Sequence, residues 1–133
     1  MQQHPVKLAI EAADRAISSG DFDSLMDFYA DDATLVVKPG MLARGKEQIH
    51  KAFVAIAAYF NHKLHVRQGR MEIVEGAGTA LVIMETRLET VGADGQPLHI
   101  ERRATYVFRA KPDGRWLCVV DNSYGTDLLA EAA

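Results

Sequence analysis

The sequence predicts an α+β domain in which three N-terminal helices pack on one face of a strongly curved, mixed or antiparallel sheet. Apolar residues recur at helical spacing in the first half of the chain, and long strand-like stretches fill the second half. Two Asp-Gly pairs, at residues 94–95 and 113–114, separate the last three stretches and predict hairpins. Because long strands in a small sheet must twist and bend, the helices are expected to cover a concave surface.

Composition limits the class of protein. The 133 residues are enough for one domain, spanning residues 1–133, with its own core. A net charge of −3 with scattered basic residues predicts neither a nucleic-acid surface nor a membrane-binding patch. The single cysteine, Cys118, excludes an internal disulfide and fits a reducing compartment. Since there is neither a signal-peptide pattern nor an apolar stretch of membrane-spanning length, we expect a cytoplasmic protein.

The individual elements follow from spacing and turn residues. Helices are expected at residues 6–18, 21–29 and 46–60. In the first helix, the spacing assigns five residues to one apolar face: Leu8, Ala9, Ala12, Ala16 and Ile17. Asp31 and Asp32 are expected to break the second helix before a short strand at residues 33–37. Four long strands are expected at residues 64–75, 79–91, 97–110 and 115–124, with Gly69 as a candidate bulge.

The two Asp-Gly loops also predict the strand register, because both fit three-residue hairpins that end with glycine in the left-handed region. One face of the first hairpin then carries compatible pairs directly across the ladder: Glu89–His99, Arg87–Glu101 and Glu85–Arg103. The other face is apolar except at one end: Leu88–Ile100, Thr86–Arg102, Met84–Ala104, Val82–Tyr106 and Ala80–Phe108. The second hairpin adds Trp116 and Cys118 to this face, where they are expected to form the apolar floor of the pocket. It also adds Val120, Asn122 and Tyr124, with Ala104 opposite Asn122 and Arg102 opposite Tyr124.

Arg102 is the most informative candidate for ligand binding, because its guanidinium stays charged and lies on an otherwise apolar face. It either pairs with a protein acid such as Asp31 or Asp32, or binds a carboxylate or similar anion of a ligand. The other candidate ligand-binding residues lie at the same polar end of this sheet face as Arg102 or present hydroxyls to the pocket: Asn122, Tyr124, Tyr106, Tyr29 and Thr86. The competing interpretation is that the amide and the tyrosines bond neighbouring backbone or belong to the core.

Catalytic and metal-binding residues are not evident. No histidine spacing matches a metal site, and no glycine-rich phosphate loop or Ser-His-Asp set is present. We therefore expect neither a metal nor a cofactor. The register assigns no histidine and no carboxylate to the inner face, so no catalytic residue is predicted.

The outer sheet face mixes apolar and charged residues: Leu81, Ile83, Val107, Leu117 and Val119 among Glu85, Arg87, Glu101, Arg103 and Asp121. This mixture is typical of an interface between subunits and predicts a homodimer formed through the sheet. The competing interpretation is that the C-terminal tail covers this face or that it is simply exposed.

Several segments resemble nuclear transport factor 2-like proteins, which include ketosteroid isomerase and SnoaL-like polyketide cyclases. The early segments are Gly20-Asp21-Phe22-Asp23, Phe28-Tyr29-Ala30-Asp31-Asp32-Ala33-Thr34 and Arg44-Gly45-Lys46-Glu47-Gln48-Ile49. The ending, Asp113-Gly114-Arg115-Trp116 followed by a hydrophobic run and Asn122-Ser123, is similar too, and also resembles the association domain of calcium/calmodulin-dependent protein kinase II. The resemblance implies a cystatin-like fold with a cone-shaped pocket between helices and sheet, and commonly a dimer.

The chemistry of ketosteroid isomerase does not carry over with this resemblance. The tyrosine of that family falls on Ala13, its base aspartate on Val37 and its remaining acid near Tyr106. Two hypotheses follow. The first is a small-molecule-binding protein of the SnoaL-like group, as an isomerase-, cyclase- or hydrolase-type enzyme on a small organic, carboxylate-bearing ligand. The second is a non-catalytic oligomerisation or binding module like the kinase association domain. An inward acid or base with a perturbed pKa would discriminate them.

Overall fold

A computed structural model describes residues 3–130 and confirms the α+β class. The helices are α1 (Pro5–Ser19), α2 (Phe22–Leu25), which continues into a 3₁₀ turn (Met26–Phe28), and α3 (Gly45–Tyr59). The strands are β1 (Tyr29–Lys38), β2 (Met41–Arg44), β3 (His65–Gly76), β4 (Thr79–Val91), β5 (Pro97–Ala110) and β6 (Trp116–Asn122). A C-terminal 3₁₀ helix (Gly125–Leu129) follows β6. None of the helices in the described part of the chain is long and apolar enough to cross a membrane.

The six strands form one mixed sheet in the order β2-β1-β6-β5-β4-β3. All neighbours are antiparallel except β1 and β6, which run parallel. The register predicted between β4 and β5 is confirmed from Ala80–Phe108 to Glu89–His99. The bulge predicted at Gly69 is also confirmed, because the pairing of β3 with β4 shifts between Gln68 and Met71.

The helices cover one face of the sheet, which we call the inner face. On β4 and β5 its central positions are at most 8% exposed: Ala80, Val82, Met84, Ala104, Tyr106 and Phe108. The predicted floor needs one correction: Phe108 and Cys118 are fully buried, whereas Trp116 is only partly buried at the edge of the core. The indole therefore contributes less to the core than its size suggests.

The buried face of α1 differs from the predicted one. The residues of α1 that are buried are Val6, Ile10, Ala13 and Asp14, whereas Leu8 is 50% exposed. The helix is alanine-rich, so apolar residues lie on more than one side, and its contacts with β3 and β6 decide which side is buried. This rotation turns one carboxylate, Asp14, toward the sheet.

The register predicted for the second hairpin is wrong beyond its first three pairs. Phe108 faces Cys118 as expected, but Val107 then pairs with Val120, so Val119 is an extra, bulged residue in β6. A one-residue shift exchanges the two faces of a strand. Asp121 consequently lies on the inner face opposite Tyr106, and Asn122 pairs with Thr105 on the outer face, not with Ala104.

The first strand is longer than predicted. It begins at Tyr29, so Asp31 and Asp32 lie within β1 and do not separate it from the preceding helix. Its register with β6 is irregular between Tyr29 and Thr34, which accommodates the two exposed aspartates. The early start of β1 brings Tyr29 beside β6, and the hairpin partner β2 (Met41–Arg44) was not predicted.

Candidate functional site

Asp121 is the centre of a buried polar cluster. Asp121 is 5% exposed, and Tyr29 Oη donates a hydrogen bond to Asp121 Oδ2 over 2.6 Å. Burial raises the pKa of Asp121 from its ordinary value of 3.8 to about 6, although the Tyr29 hydrogen bond opposes this rise. Near pH 6 this carboxyl is therefore present in both its protonated and its ionised form, whereas an ordinary exposed aspartate is almost entirely ionised.

A second buried carboxyl, Asp14, reaches the same region from α1. Burial raises the pKa of Asp14 from 3.8 to about 7; a hydrogen bond from the Gln68 amide opposes the rise, and the negative charge of Asp121 adds to it. Gln68 lies on β3, so Asp14 is positioned between a helix and the sheet edge. Because the charge of Asp121 acts on Asp14, the two carboxyls are expected to titrate as a pair.

Tyr106 completes the cluster from β5. Tyr106 is 8% exposed and lies directly opposite Asp121 in the pairing of β5 with β6. Burial raises the pKa of Tyr106 well above 10, and the charges of Asp121 and Asp14 raise it further. Within residues 3–130 its hydroxyl makes no hydrogen bond, in contrast to the hydroxyl of Tyr29. Tyr106 thus presents an O–H donor, not a phenolate, beside both carboxyls.

Two surface grooves border parts of the cluster. A groove of about 510 Å³ lies between α1 and the start of β3, and Asp14 and Gln68 are among its lining residues, together with Arg15 and His65. A second groove of about 480 Å³ is bordered by Tyr29 and by charged residues of β1 and β5. Volumes of this size accommodate small organic molecules.

Arg102 lies on the inner face of β5, as the register predicts, and is partly buried. Its guanidinium carbon lies 4.1 Å from the ring centre of Tyr124, in a cation–π contact. The two acids considered as its partners are paired elsewhere, Asp31 with Lys46 at 3.4 Å and Asp32 with Arg109 at 4.0 Å. The interpretation of Arg102 as a structural partner of these two aspartates is therefore wrong.

The remaining candidate residues have separate positions. Thr86 is 4% exposed and faces Arg102 across the β4–β5 ladder. Asn122 closes the turn after β6: its amide donates to the Gly125 carbonyl oxygen over 3.1 Å, and its Oδ1 accepts from the backbone of Tyr124 and of Gly125. Asn122 thereby positions Tyr124 against Arg102, so its observed contacts match the competing interpretation of a bond to neighbouring backbone.

Sequence reasoning missed both carboxyls. A signal for Asp14 becomes usable only once Ile10 is known to be buried, because Asp14 lies four residues later on the same helix face. No comparable signal exists for Asp121, since its inward orientation depends on the bulge at Val119. Among residues 3–130, no group of three or more histidine, cysteine, aspartate or glutamate side chains could hold a metal ion.

The fold and the site together define a class: a small α+β protein with helices over a mixed sheet and paired, buried carboxyls between them. Residues 10–119 match the family model of the SnoaL-like domain, so the chain belongs to this family. None of the curated proteins matches the chain significantly.

Solved structures with this fold are similar over most of the chain. One, from Shewanella frigidimarina, is a protein proposed to be a ketosteroid isomerase; it has 16% identity and a TM-score of 0.76, covering 90% of this chain and 94% of its own. A proposed dehydratase of the nuclear transport factor 2-like family from Streptomyces avermitilis has 22% identity and a TM-score of 0.69, covering 88% and 91%.

A third similar structure is a proposed calcium/calmodulin-dependent protein kinase II association domain from Xanthomonas campestris. It has 18% identity and a TM-score of 0.70, and the match covers 85% of this chain and 79% of that one. Other similar structures are described as cystatin-like folds. At such identities the similarity shows the fold alone.

Proposed function

We propose that this chain is an acid/base enzyme that moves a proton on a small carbonyl compound, with Asp121 as base, Asp14 as acid and Tyr106 as donor to the carbonyl oxygen. One observation carries the proposal: the Tyr106 hydroxyl has no hydrogen-bond partner within residues 3–130 and faces Asp121 across the ladder, while burial raises the pKa of both Asp121 and Asp14. Pairs of acids with separated pKa values are the usual basis for assigning acid and base roles.

The protonation states of the two carboxyls suit this chemistry. With a pKa of about 6 for Asp121 and about 7 for Asp14, the pair holds about one proton near pH 6.5, mainly on Asp14. Ionised Asp121 removes a proton from the carbon next to the carbonyl, and the electron pair moves to the carbonyl oxygen. Asp14 then returns a proton to another atom of the substrate, so the net charge of the site is unchanged.

Tyr106 stabilises the negative charge that develops on the oxygen. Because its own pKa is far above neutral, the hydroxyl keeps its proton and donates it as a hydrogen bond. Proton removal next to a carbonyl is the first step shared by isomerisation, ring closure and dehydration. Two structural neighbours are a proposed ketosteroid isomerase and a proposed dehydratase, and both of these activities belong to this group of reactions.

The proposal is tested by exchange of hydrogen for deuterium next to the ketone of small probes, including methyl 4-oxopentanoate, followed by proton NMR in D₂O. We expect the parent to accelerate exchange, and Asp121→Asn and Tyr106→Phe each to reduce the rate by about 100-fold or more. The rate should rise with pH through about 6, as Asp121 ionises, and fall above about 7, as Asp14 loses its proton.

Two further variants make this test specific. Tyr29→Phe should move the rising limb to higher pH, because the Tyr29 hydrogen bond lowers the pKa of Asp121 and its loss would raise that pKa. Asp32→Asn, at an aspartate whose side chain is 81% exposed and pairs with Arg109, should leave rate and profile unchanged. Full activity in the Asp121→Asn protein, or no exchange by the parent on any ketone of the panel, would contradict the proposal and favour a non-catalytic binding module.

We also propose that the chain forms a homodimer through the outer face of the sheet. One row of apolar residues crosses four strands on that face: Val74, Leu81, Val107 and Val120. Three of them are unusually exposed, Val74 by 58%, Leu81 by 41% and Val120 by 38%. The bulge turns Val120 outward in place of the predicted Val119. A two-fold axis would let this row meet its copy and remove it from water.

Val120→Asp should weaken self-association at least tenfold in sedimentation experiments, because it buries a charge in the apolar row. The matched control is Val54→Asp on α3, where the parent valine is 47% exposed on the helical side of the molecule. A parent that is monomeric at micromolar concentration, or equal behaviour of the two variants, would rule out this interface.

A further inference from the structure

A row of three polar side chains crosses the inner face of the sheet. Gln68 of β3 pairs with Thr86 of β4, and Thr86 pairs with Arg102 of β5. Neighbouring strands are about 4.8 Å apart, so the row spans roughly 10 Å. One end reaches the acid pair, because the Gln68 amide donates to Asp14. The other end is the guanidinium of Arg102.

The middle of the row contains an unsatisfied hydroxyl. Thr86 Oγ1 is buried and makes no hydrogen bond to any part of the described chain. Thr90 lies four residues further along β4 on the same face, and its hydroxyl is also buried without a hydrogen-bond partner in the described chain. Leaving a buried hydroxyl without a partner costs about 1–3 kcal/mol. A ligand that accepts a hydrogen bond at Thr86 would remove this cost.

The positive end of the row also lacks a negative partner. Within residues 3–130, no carboxylate lies within ion-pair distance of Arg102, whereas Arg87 on β4 pairs with Glu101 at 3.7 Å. The stacking contact with Tyr124 orients the guanidinium but does not neutralise it. A planar guanidinium held against an aromatic ring keeps its N–H groups available for bidentate binding of a carboxylate.

We infer that Arg102 and Thr86 form a subsite for the carboxylate end of the substrate, and that the substrate is a small oxo acid whose carbonyl lies toward Asp14 and Tyr106. This assignment rests on the proposed function, because it names the substrate class of the same site. Polar contacts of about 3 Å at each end of this row leave about 4 Å between the carboxylate carbon and the carbonyl carbon. Unbranched oxo acids with two or three carbons between the two groups fit that spacing.

The probes are 4-oxopentanoate and its methyl ester, which differ only in the charge of the acid end. Binding is followed by NMR titration of the ¹⁵N-labelled protein. We expect the parent to bind the acid at least tenfold more tightly than the ester. Arg102→Met should reduce this preference to less than twofold. The near-isosteric Thr86→Val should weaken acid binding severalfold and ester binding less, because a carboxylate accepts a stronger hydrogen bond than an ester carbonyl.

Arg103→Met is the matched control, because Arg103 is the next residue, lies on the outer face of β5 and is exposed. It should keep the full preference, and far-UV circular dichroism should show that all variants are folded. Equal binding of acid and ester by the parent, no binding of either in the millimolar range, or an undiminished preference in Arg102→Met would each overturn the subsite.

The subsite and the proposed reaction can fail separately. If the parent exchanges the ketone hydrogens of the ester but does not prefer the acid, the subsite is wrong and the reaction stands. If the acid preference depends on Arg102 but no probe undergoes exchange, the subsite stands as a binding site and the reaction is wrong.

Discussion

The Asp121→Asn protein should be more stable than its parent at pH 8 by about 3 kcal/mol. Burial raises the pKa of Asp121 from 3.8 to about 6 in the folded state, which corresponds to about 3 kcal/mol of stability lost once the group is ionised in both states. Asparagine cannot ionise, and its carbonyl oxygen can still accept the hydrogen bond from Tyr29. The variant therefore avoids the desolvated charge and keeps the contact.

The stability difference between the Asp121→Asn protein and its parent should depend on pH. Below about pH 4 the carboxyl is protonated in the folded and unfolded states, so the parent should be close to the variant in stability. Between about pH 4 and 6 the unfolded chain releases its proton while the folded chain retains it, so the parent loses stability as pH rises. Above about pH 6.5 the difference should be constant. Urea unfolding at several pH values measures it.

The control for this experiment is Asp32→Asn, because the Asp32 side chain is 81% exposed. It should show no comparable gain at pH 8. An Asp121→Asn protein that is less stable than the parent at pH 8 would mean that the carboxylate is satisfied in the fold, and the case for a proton-transfer role would lose its physical basis. A gain in stability combined with lost exchange activity is the pattern expected of a catalytic residue.

Gly125→Ala should lower the free energy of unfolding by about 2–5 kcal/mol. Gly125 has φ 54°, and a Cβ there would lie 1.9 Å from the carbonyl oxygen of Arg103. Left-handed backbone costs a non-glycine residue about 1–2 kcal/mol, and forced overpacking adds about 1–3 kcal/mol. The turn closed by Asn122 would have to move, and Tyr124 would leave its position against Arg102.

Gly95→Ala separates the two causes of this loss. Gly95 also has a positive φ, 79°, but no atom lies within 4 Å of the position of its Cβ. This variant should lose only the backbone contribution, about 1–2 kcal/mol. Urea unfolding of the three proteins measures both losses. If Gly95→Ala and Gly125→Ala lost the same stability, the close approach of Gly125 to Arg103 would not exist in solution.

Much of the fold could be predicted because the information is local. Alternating polarity and two Asp-Gly turns were sufficient for the β4–β5 register, since a hairpin loop and its flanking charges specify the pairing within a few residues. The same parity placed Arg102 and Thr86 on the inner face. The family resemblance rested on similarly local segments, and the match over residues 10–119 confirms it.

The tertiary structure alone decided the catalytic candidates. In the alanine-rich helix α1, apolar spacing did not specify which side meets the sheet, so the packing against β3 and β6 determined that Asp14 is buried. In β6, the strand must pair with antiparallel β5 and parallel β1 at once, and the bulge at Val119 accompanies that double pairing. Because side chains alternate along a strand, this single extra residue turned Asp121 from the outer face into the core, beside Tyr29 and Tyr106.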